Sequence, residues 1–211
     1  FLHRVDPEDG TTTRILELPP ILYKIGMQNR LFGGAPLWTV DRDGRIAVGL
    51  STSPHVLVHD ADGAVLDTVT IDRAPEPVSS RDRESVFRMR EAYYLNSGIP
   101  PSQVADLQRR LHVEDTYPLF TSVFFGPAGT LWLELPATIT KLEEGDTAPE
   151  PSPLRGNGSG QWEVFNRRGD LVARVSIPGF MPHTYQGDLV YGVAEGSDGE
   201  QIMQVLRVSG L

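Results

Sequence analysis

The chain has 211 residues, a formal net charge of −9, 39% hydrophobic residues and no cysteine. This is the composition of a globular protein, and it excludes disulfide bonds, thiolate nucleophiles and zinc sites with cysteine ligands. The acidic balance argues against nucleic acid as a partner, and no apolar stretch is long enough to span a membrane. The 21 glycines and 17 prolines predict many turns.

Short runs of β-branched, leucine and aromatic residues recur along most of the chain. Residues 45–50, 55–59 and 130–135 are examples, and each has the length and the two-residue period of a β-strand. Asp-Gly or similar pairs separate many of these runs. Because glycine tolerates the positive φ that tight hairpin turns require, the pairs predict β-hairpins.

The turn glycines fall into two classes that alternate along the chain. The first class has apolar residues five positions before and six and eight positions after the glycine, and it comprises Gly10, Gly63 and Gly169. The second class is followed directly by a strand-like run, and it comprises Gly44, Gly129 and Gly187. The alternation indicates a four-stranded meander that repeats.

Repeated four-stranded antiparallel units are typical of propeller blades, and we predict an all-β fold, a partial β-propeller over residues 1–211. With strands lettered A to D from the inside, residues 1–19 supply C and D of one blade and residues 180–209 supply A to C of another. Two complete blades lie between them. About three blades are present and a ring needs about four, so we expect a chain that enters a larger ring in mid-blade. A sandwich built from meanders is the alternative.

Two insertions interrupt the strand pattern. Residues 79–117 have apolar residues at helical spacing, with a stop at Gly98, and predict a helical hairpin whose second helix is capped by Ser102. Residues 136–160 are acidic and rich in proline, glycine and serine, and predict a flexible polar loop. The insertions connect D to A and B to C, so both lie on the same face of the predicted propeller. We expect ligands to bind at that face.

Several runs resemble one known family. They are WEVFNRRG at residues 162–169, VSIP at 175–178, DLVYGV at 188–193 and VLRV at 205–208. They are similar to motifs of uncharacterised bacterial six-bladed β-propellers related to NHL-repeat and TolB-type propellers, although Asn166 stands where that family usually has aspartate. The resemblance implies a six-bladed ring and an extracytoplasmic location, periplasmic or secreted. It implies no defined activity.

Motifs for catalysis or metal binding are scarce, and we predict neither a catalytic residue nor a metal site. The glycine-rich run at 156–160 lacks the lysine and the helix of a phosphate loop, which favours a flexible linker. The runs that start at Asp41 and Asp60 resemble the start of calcium loops but lack the glutamate at position twelve, so turn chemistry explains them. His55 and His59 lie about 13 Å apart along a strand, too far to share a metal ion.

Arginines 81, 83, 88, 90, 109 and 110 are interleaved with acidic residues in the predicted hairpin. They indicate either a solvated face with ion pairs or a patch that recognises carboxylates or phosphates. Four further residues are candidates for ligand binding at the face with the insertions, namely Arg30, Trp38, His183 and Tyr185. His183 enters an inner strand from that face, and Trp38 lies beside a D-to-A connection.

We expect a non-enzymatic binding or scaffold domain that needs no cofactor and holds a protein or a small ligand. The alternative is a hydrolase or lyase similar to metal-dependent propeller lactonases, with calcium or another divalent ion at the centre. Apolar inner strands such as residues 123–125 argue against that alternative. A third possibility is a purely structural part of a larger protein.

Overall fold

The computed structural model describes residues 1–21, 24–25, 28–138, 157–195 and 200–210. Antiparallel strands dominate these residues, and two helices lie between the two four-stranded sheets along the chain. The mainly β fold and the four-stranded meanders therefore agree with the prediction. Neither helix in the described ranges combines the length and the apolar character needed to cross a bilayer.

The first strands form a hairpin and part of a small sheet. Strands β1 (Leu2–Val5) and β2 (Thr12–Leu16) pair antiparallel. Strands β3 (Lys24–Ile25) and β4 (Gln28–Leu31) form a second, shorter antiparallel pair. The first four-stranded meander follows, with β5 (Pro36–Val40), β6 (Ile46–Leu50), β7 (His55–His59) and β8 (Val65–Thr70) in that spatial order.

The helical hairpin follows β8 and consists of α1 (Ser80–Asn96) and α2 (Pro101–Gln108). Gly98, at a φ of +78°, lies just after the end of α1, where a left-handed residue commonly ends a helix. The predicted cap of the second helix is wrong: Ser102 lies inside α2, which begins at Pro101 and has no side-chain cap. Proline takes this first position because its fixed φ suits a helix and its missing N–H would be unpaired there anyway.

The remaining strands complete the small sheet and form two further meanders. Strand β9 (Leu111–Val113) pairs parallel with β4. The second four-stranded meander comprises β10 (Ser122–Phe125), β11 (Leu131–Ala137), β12 (Asn157–Phe165) and β13 (Leu171–Ser176). The third meander comprises β14 (Phe180–Gln186), β15 (Leu189–Glu195) and β16 (Gln201–Arg207).

The turn glycines have the backbone conformation that the repeat predicts. All six have positive φ, from +58° at Gly187 to +91° at Gly63. Gly63 and Gly169 precede the fourth strand of their sheets, and Gly44, Gly129 and Gly187 lie between a first strand and a second. Gly10 lies in the hairpin between β1 and β2, which form a two-stranded sheet. The alternating hairpins are therefore confirmed.

The sheets pack face to face. One face of sheet β5–β8 contributes Ala47, Val56 and Val58 to a core cluster that Leu131 and Leu133 of β11 complete. The opposite face of sheet β10–β13 forms another cluster, in which Trp132 and Trp162 pack with Phe180 and Val190 of the third meander. The first three strands of sheet β10–β13 are therefore buried on both faces, while β13 is largely exposed.

The polar loop is shorter than the predicted range 136–160. Pro136 and Ala137 end β11 and pair with Gly158 and Asn157 at the start of β12, across a register irregularity. Proline and glycine disfavour strands in general, and pairing with the neighbouring strand prevails here. Residues 139–156 lie outside the described residues. The hairpin segment precedes β10, and β10 begins where β11 ends, so both insertions lie at one end of this sheet, the long-connection end.

Candidate binding site on the helical hairpin

Helix α1 begins with a capping box. The hydroxyl of Ser79 accepts a hydrogen bond from the backbone N–H of Asp82, and the Asp82 carboxylate accepts one from the backbone N–H of Ser79. The Ser79 hydroxyl also donates to that carboxylate at 2.6 Å. These bonds satisfy N–H groups that a helix start leaves unpaired, so the first turn of α1 is well defined.

One side of α1 packs on the parallel pair β4–β9. Val86 is 3% exposed and belongs to a cluster with Val113 and Tyr117. Arg83 donates to the carbonyl oxygens of Val113 and Glu114 at 2.8 and 3.1 Å. Because apolar packing and hydrogen bonds act together here, α1 presents its opposite side to solvent from a fixed position.

Arg30 lies in β4, where an ion pair occupies its guanidinium group. Its Nε and Nη2 atoms lie 2.5 and 2.9 Å from the two carboxylate oxygens of Glu114, a bidentate geometry between partly buried side chains. Glu114 follows β9, so the pair joins the strand before the first meander to the end of the hairpin. Arg30 thus supports the position of the hairpin, and its predicted role in ligand binding stays a prediction.

The outer side of α1 and the end of α2 border an open groove of about 840 Å³. The groove is lined by polar and charged side chains with one aromatic ring, namely Arg81, Glu84, Ser85, Phe87, Arg88, Glu91 and Gln108. The Gln108 amide donates to the Phe87 carbonyl at 3.4 Å and links the two helices. Two cationic and two anionic side chains in one groove suit a ligand that carries both charges.

The arginines of the hairpin divide between the two predicted interpretations. Arg83 pairs with Asp115 at 2.7 Å, and Arg109 pairs with Asp106 one turn earlier, as expected for a solvated face. Across the described ranges, by contrast, the side chains of Arg81, Glu84 and Glu91 take part in no hydrogen bond or ion pair. The groove therefore contains exposed charges that have no side-chain partner among the described residues.

Trp38 lies in β5 with 48% of its surface exposed. Its cross-strand neighbour is Val48, and this row of the sheet lies on the face that turns away from sheet β10–β13. An exposed indole on a sheet surface suits stacking against a ligand or packing against another chain.

His183 and Tyr185 both lie in β14. His183 is exposed at a register irregularity between Pro182 and Thr184. Tyr185 is half-buried: its ring lies edge-on to Phe124 at 6.4 Å, and the guanidinium carbon of Arg42 lies 5.5 Å from its ring centre. This contact with Arg42 was not predicted, because nothing in the sequence relates the first meander's turn to the third meander.

The four candidate residues are thus distributed over three sheets and have different surroundings. Arg30 belongs to the small sheet, Trp38 to the first meander, and His183 and Tyr185 to the third. The contacts described above join Arg30 to Glu114, and Tyr185 to Phe124 and Arg42. A shared ligand site for these four residues stays a prediction.

Glu134, at the long-connection end of β11, was not singled out by the sequence. Its carboxylate accepts hydrogen bonds from the backbone N–H of Gly160 and the hydroxyl of Thr121, at 3.2 and 3.4 Å. Burial raises the pKa of this carboxyl above its ordinary value of 4.5, and the two hydrogen bonds act in the opposite direction. The sequence feature that could have identified this residue is a single glutamate within an otherwise apolar strand.

The aspartates that resembled calcium loops serve as turn residues. Asp41 Oδ1 accepts the backbone N–H groups of Asp43 and Arg45, and Asp60 Oδ1 accepts those of Asp62 and Ala64. The turn interpretation is therefore confirmed. In the part of the chain that the structure describes, no three His, Cys, Asp or Glu side chains are grouped so that they could hold a metal ion.

Comparisons with family models, with curated proteins and with solved structures gave no match to this chain.

Proposed function

We propose that the chain forms successive blades of a β-propeller, as part of a six-bladed ring. A recurring contact between neighbouring meanders supports this. A methyl group built on Gly63 would lie 2.7 Å from the carbonyl oxygen of Ile15 in β2, and one built on Gly169 would lie 3.2 Å from that of Thr68 in β8. In both places the turn before a fourth strand packs on the last strand of an earlier sheet. A rotation about one axis would produce this recurrence.

The arrangement of the sheets also supports a propeller over a sandwich. The first strands of the three meanders are neighbours, with β5 beside β10 and β10 beside β14. Inner strands of successive blades take these positions around a central axis. A two-sheet sandwich, in contrast, would leave one face of each sheet in solvent, whereas the first three strands of sheet β10–β13 are buried on both.

On this scaffold we propose a non-enzymatic binding domain whose partner docks on the helical hairpin. The observation that carries the proposal is the groove along α1, where the side chains of Arg81, Glu84 and Glu91 are exposed and have no hydrogen-bond or ion-pair partner among the residues that the structure describes. The helix is positioned by its capping box, by its apolar contacts with β4 and β9, and by the Arg30–Glu114 ion pair. A preorganised surface binds at a lower entropic cost than a mobile one.

Affinity capture from an extract of the source organism tests this function. The bait is the full chain, and the groove variant is Glu84→Arg with Glu91→Arg. The control is Arg168→Glu, an exposed change in the turn between β12 and β13. We expect one protein other than the chain itself to be retained by the wild type and the control, and about tenfold less of it by the groove variant. Equal retention by all three baits would contradict the proposal.

A calcium titration tests the proposal against an enzyme with a central divalent ion. We expect the Tm to stay unchanged at millimolar calcium, since a folded-state site would raise it by mass action. A rise in Tm would favour a lactonase-like enzyme instead. The extracytoplasmic location is part of this proposal and follows only from the family resemblance.

A further inference from the structure

We infer that the outer face of α1 is self-complementary and pairs antiparallel with the same face of a second copy of the chain. The inference depends on the proposed function, which makes the hairpin a binding surface, and it adds a second copy of the chain to the partners of that surface. The order of the charges along α1 indicates that this partner is a second copy of the chain.

Four charged residues lie on one face of α1 at spacings of three, four and three residues: Arg81, Glu84, Arg88 and Glu91. Their signs alternate from positive to negative. Read from the other end of the helix, the spacings are the same and every sign is exchanged. A surface with this property is complementary to its own copy in the antiparallel direction.

A two-fold axis that crosses the outer face of α1 at the level of Val86, on the side opposite that buried residue, would place the two α1 helices in this register. Arg81 of each chain then lies opposite Glu91 of the other, and Glu84 lies opposite Arg88. The axis repeats each pair, so four attractive pairs form. An interface of this isologous type closes at a dimer, because both chains use the same patch.

The side chains that form the outer pairs of the dimer are exposed and have no partner among the described residues. Arg81 and Glu91 are both exposed, and neither takes part in an ion pair or hydrogen bond within the described ranges. Arg88 is exposed and donates to the Ser85 hydroxyl at 2.9 Å, and the inner pair with Glu84 of the second copy adds to the contacts that Arg88 already makes.

Apolar surface borders the same charges. Phe87 is half-buried in the groove, and Leu95, one turn beyond Glu91, is 42% exposed. One helix pair is small for an interface, so we expect a weak dimer in which charge determines orientation and partner. Added salt would raise the dissociation constant of the dimer, since exposed ion pairs are screened.

Two charge reversals test the register. In Arg81→Glu and in Glu91→Arg, like charges meet at both symmetric positions, and we expect the dimer dissociation constant of each to rise at least about tenfold. An equimolar mixture of the two variants restores the dimer, because reversed position 81 of one chain then faces reversed position 91 of the other. Sedimentation equilibrium over a range of concentrations measures all three samples.

The matched control is Arg110→Glu, an exposed change of the same charge on the same hairpin. It should dimerise like the wild type. Arg81→Glu places an anionic side chain in the first turn of α1, where the helix dipole favours it, so lost folding is not the expected cause of dissociation. Circular dichroism and Tm of each variant check this.

Three outcomes would overturn the inference: a wild type that is monomeric up to about 1 mM, a dimer that both reversals leave intact, or a mixture of the two variants that stays monomeric. A monomer whose hairpin still captures another protein would overturn the inference alone. A monomer that captures none would overturn the proposed function as well.

Discussion

Sheets β10–β13 and β14–β16 both carry apolar side chains on their two faces, but their surroundings differ. In both, apolar side chains alternate between the two faces. The first sheet buries both faces of its first three strands, with Trp132 and Leu133 each at most 2% exposed. The second buries Val190 on one face and leaves Met181 and Met203 of the other 62% and 77% exposed. Apolar residues on both faces of a strand therefore do not by themselves predict burial, which follows only where another layer packs on each face.

The largest expected effect is on the free energy of unfolding, and it is tested by comparing one side chain from each of these two sheets. Trp162→Ala in sheet β10–β13 should lower the free energy of unfolding by about 3–5 kcal/mol, because the indole is 1% exposed and its loss leaves a cavity. Met203→Ala should change it by less than about 0.5 kcal/mol. Urea denaturation measures both, and equal losses would mean that the uncovered face is packed in solution.

Much of the fold could be predicted because its signals are local. A strand run, a turn glycine and the next strand lie within about 20 residues, so turn chemistry and alternation suffice for the hairpins. The parallel pair β4–β9 lacks such a signal, since 79 residues separate its ends at Leu31 and Leu111. The Arg30–Glu114 ion pair depends on that pairing, so the role of Arg30 could not be read from neighbouring residues.

For the candidate site, the sequence predicted the helical hairpin and the charged residues that it carries. Which charges have partners depends on the packing of the hairpin on the small sheet: Arg83 reaches Asp115, while Arg81 faces the groove. The burial of Glu134 could not be predicted either, because the sequence around it does not show which sheet packs against β11. Long-range packing accounts for each of these differences.

The second prediction contrasts one glycine from each of the two sheets. A methyl group built on Gly160, in β12, would lie 2.6 Å from the Cα of Pro178, and its φ is +68°. Gly187, before β15, has a φ of +58° and no heavy atom within 4 Å of the added methyl. We expect Gly160→Ala to cost about 3 kcal/mol from overpacking and backbone strain together, and Gly187→Ala about 1 kcal/mol from strain alone. Similar costs would show that the turn conformation matters more than the neighbouring layer.

The third prediction concerns ion pairs. Glu163 of β12 is 3% exposed and accepts hydrogen bonds from Arg73, which follows the first meander, and from Arg174 of β13. Glu163→Gln should cost about 2 kcal/mol, because it leaves two guanidinium groups without their counter-charge. The exposed Asp188–Arg207 pair of the third meander lies at 3.6 Å, and Asp188→Asn should cost less than about 0.5 kcal/mol. A double-mutant cycle with Arg73→Gln tests the first pair, and zero coupling would contradict it.

The smallest effect is the pH dependence of stability that Glu134 of sheet β10–β13 produces. Glu163 has two arginine partners, whereas Glu134 has a backbone N–H and a hydroxyl, and burial raises the pKa of Glu134 above 4.5. The folded chain therefore holds the Glu134 proton more tightly than the unfolded chain. Between 4.5 and the raised pKa, the contribution of Glu134 to stability falls as pH rises, and above that window the buried carboxylate is a constant cost.

Glu134→Gln removes this titration and keeps an acceptor for Gly160. The difference in unfolding free energy, variant minus wild type, should therefore increase with pH through the same window and then level off. Urea denaturation at several pH values from 4 upward, run on both chains, measures the difference, in which the other titrating groups largely cancel. A difference that stays constant with pH, or that decreases, would mean that Glu134 is hydrated in solution and that the end of β11 is more open than the buried centre of its sheet.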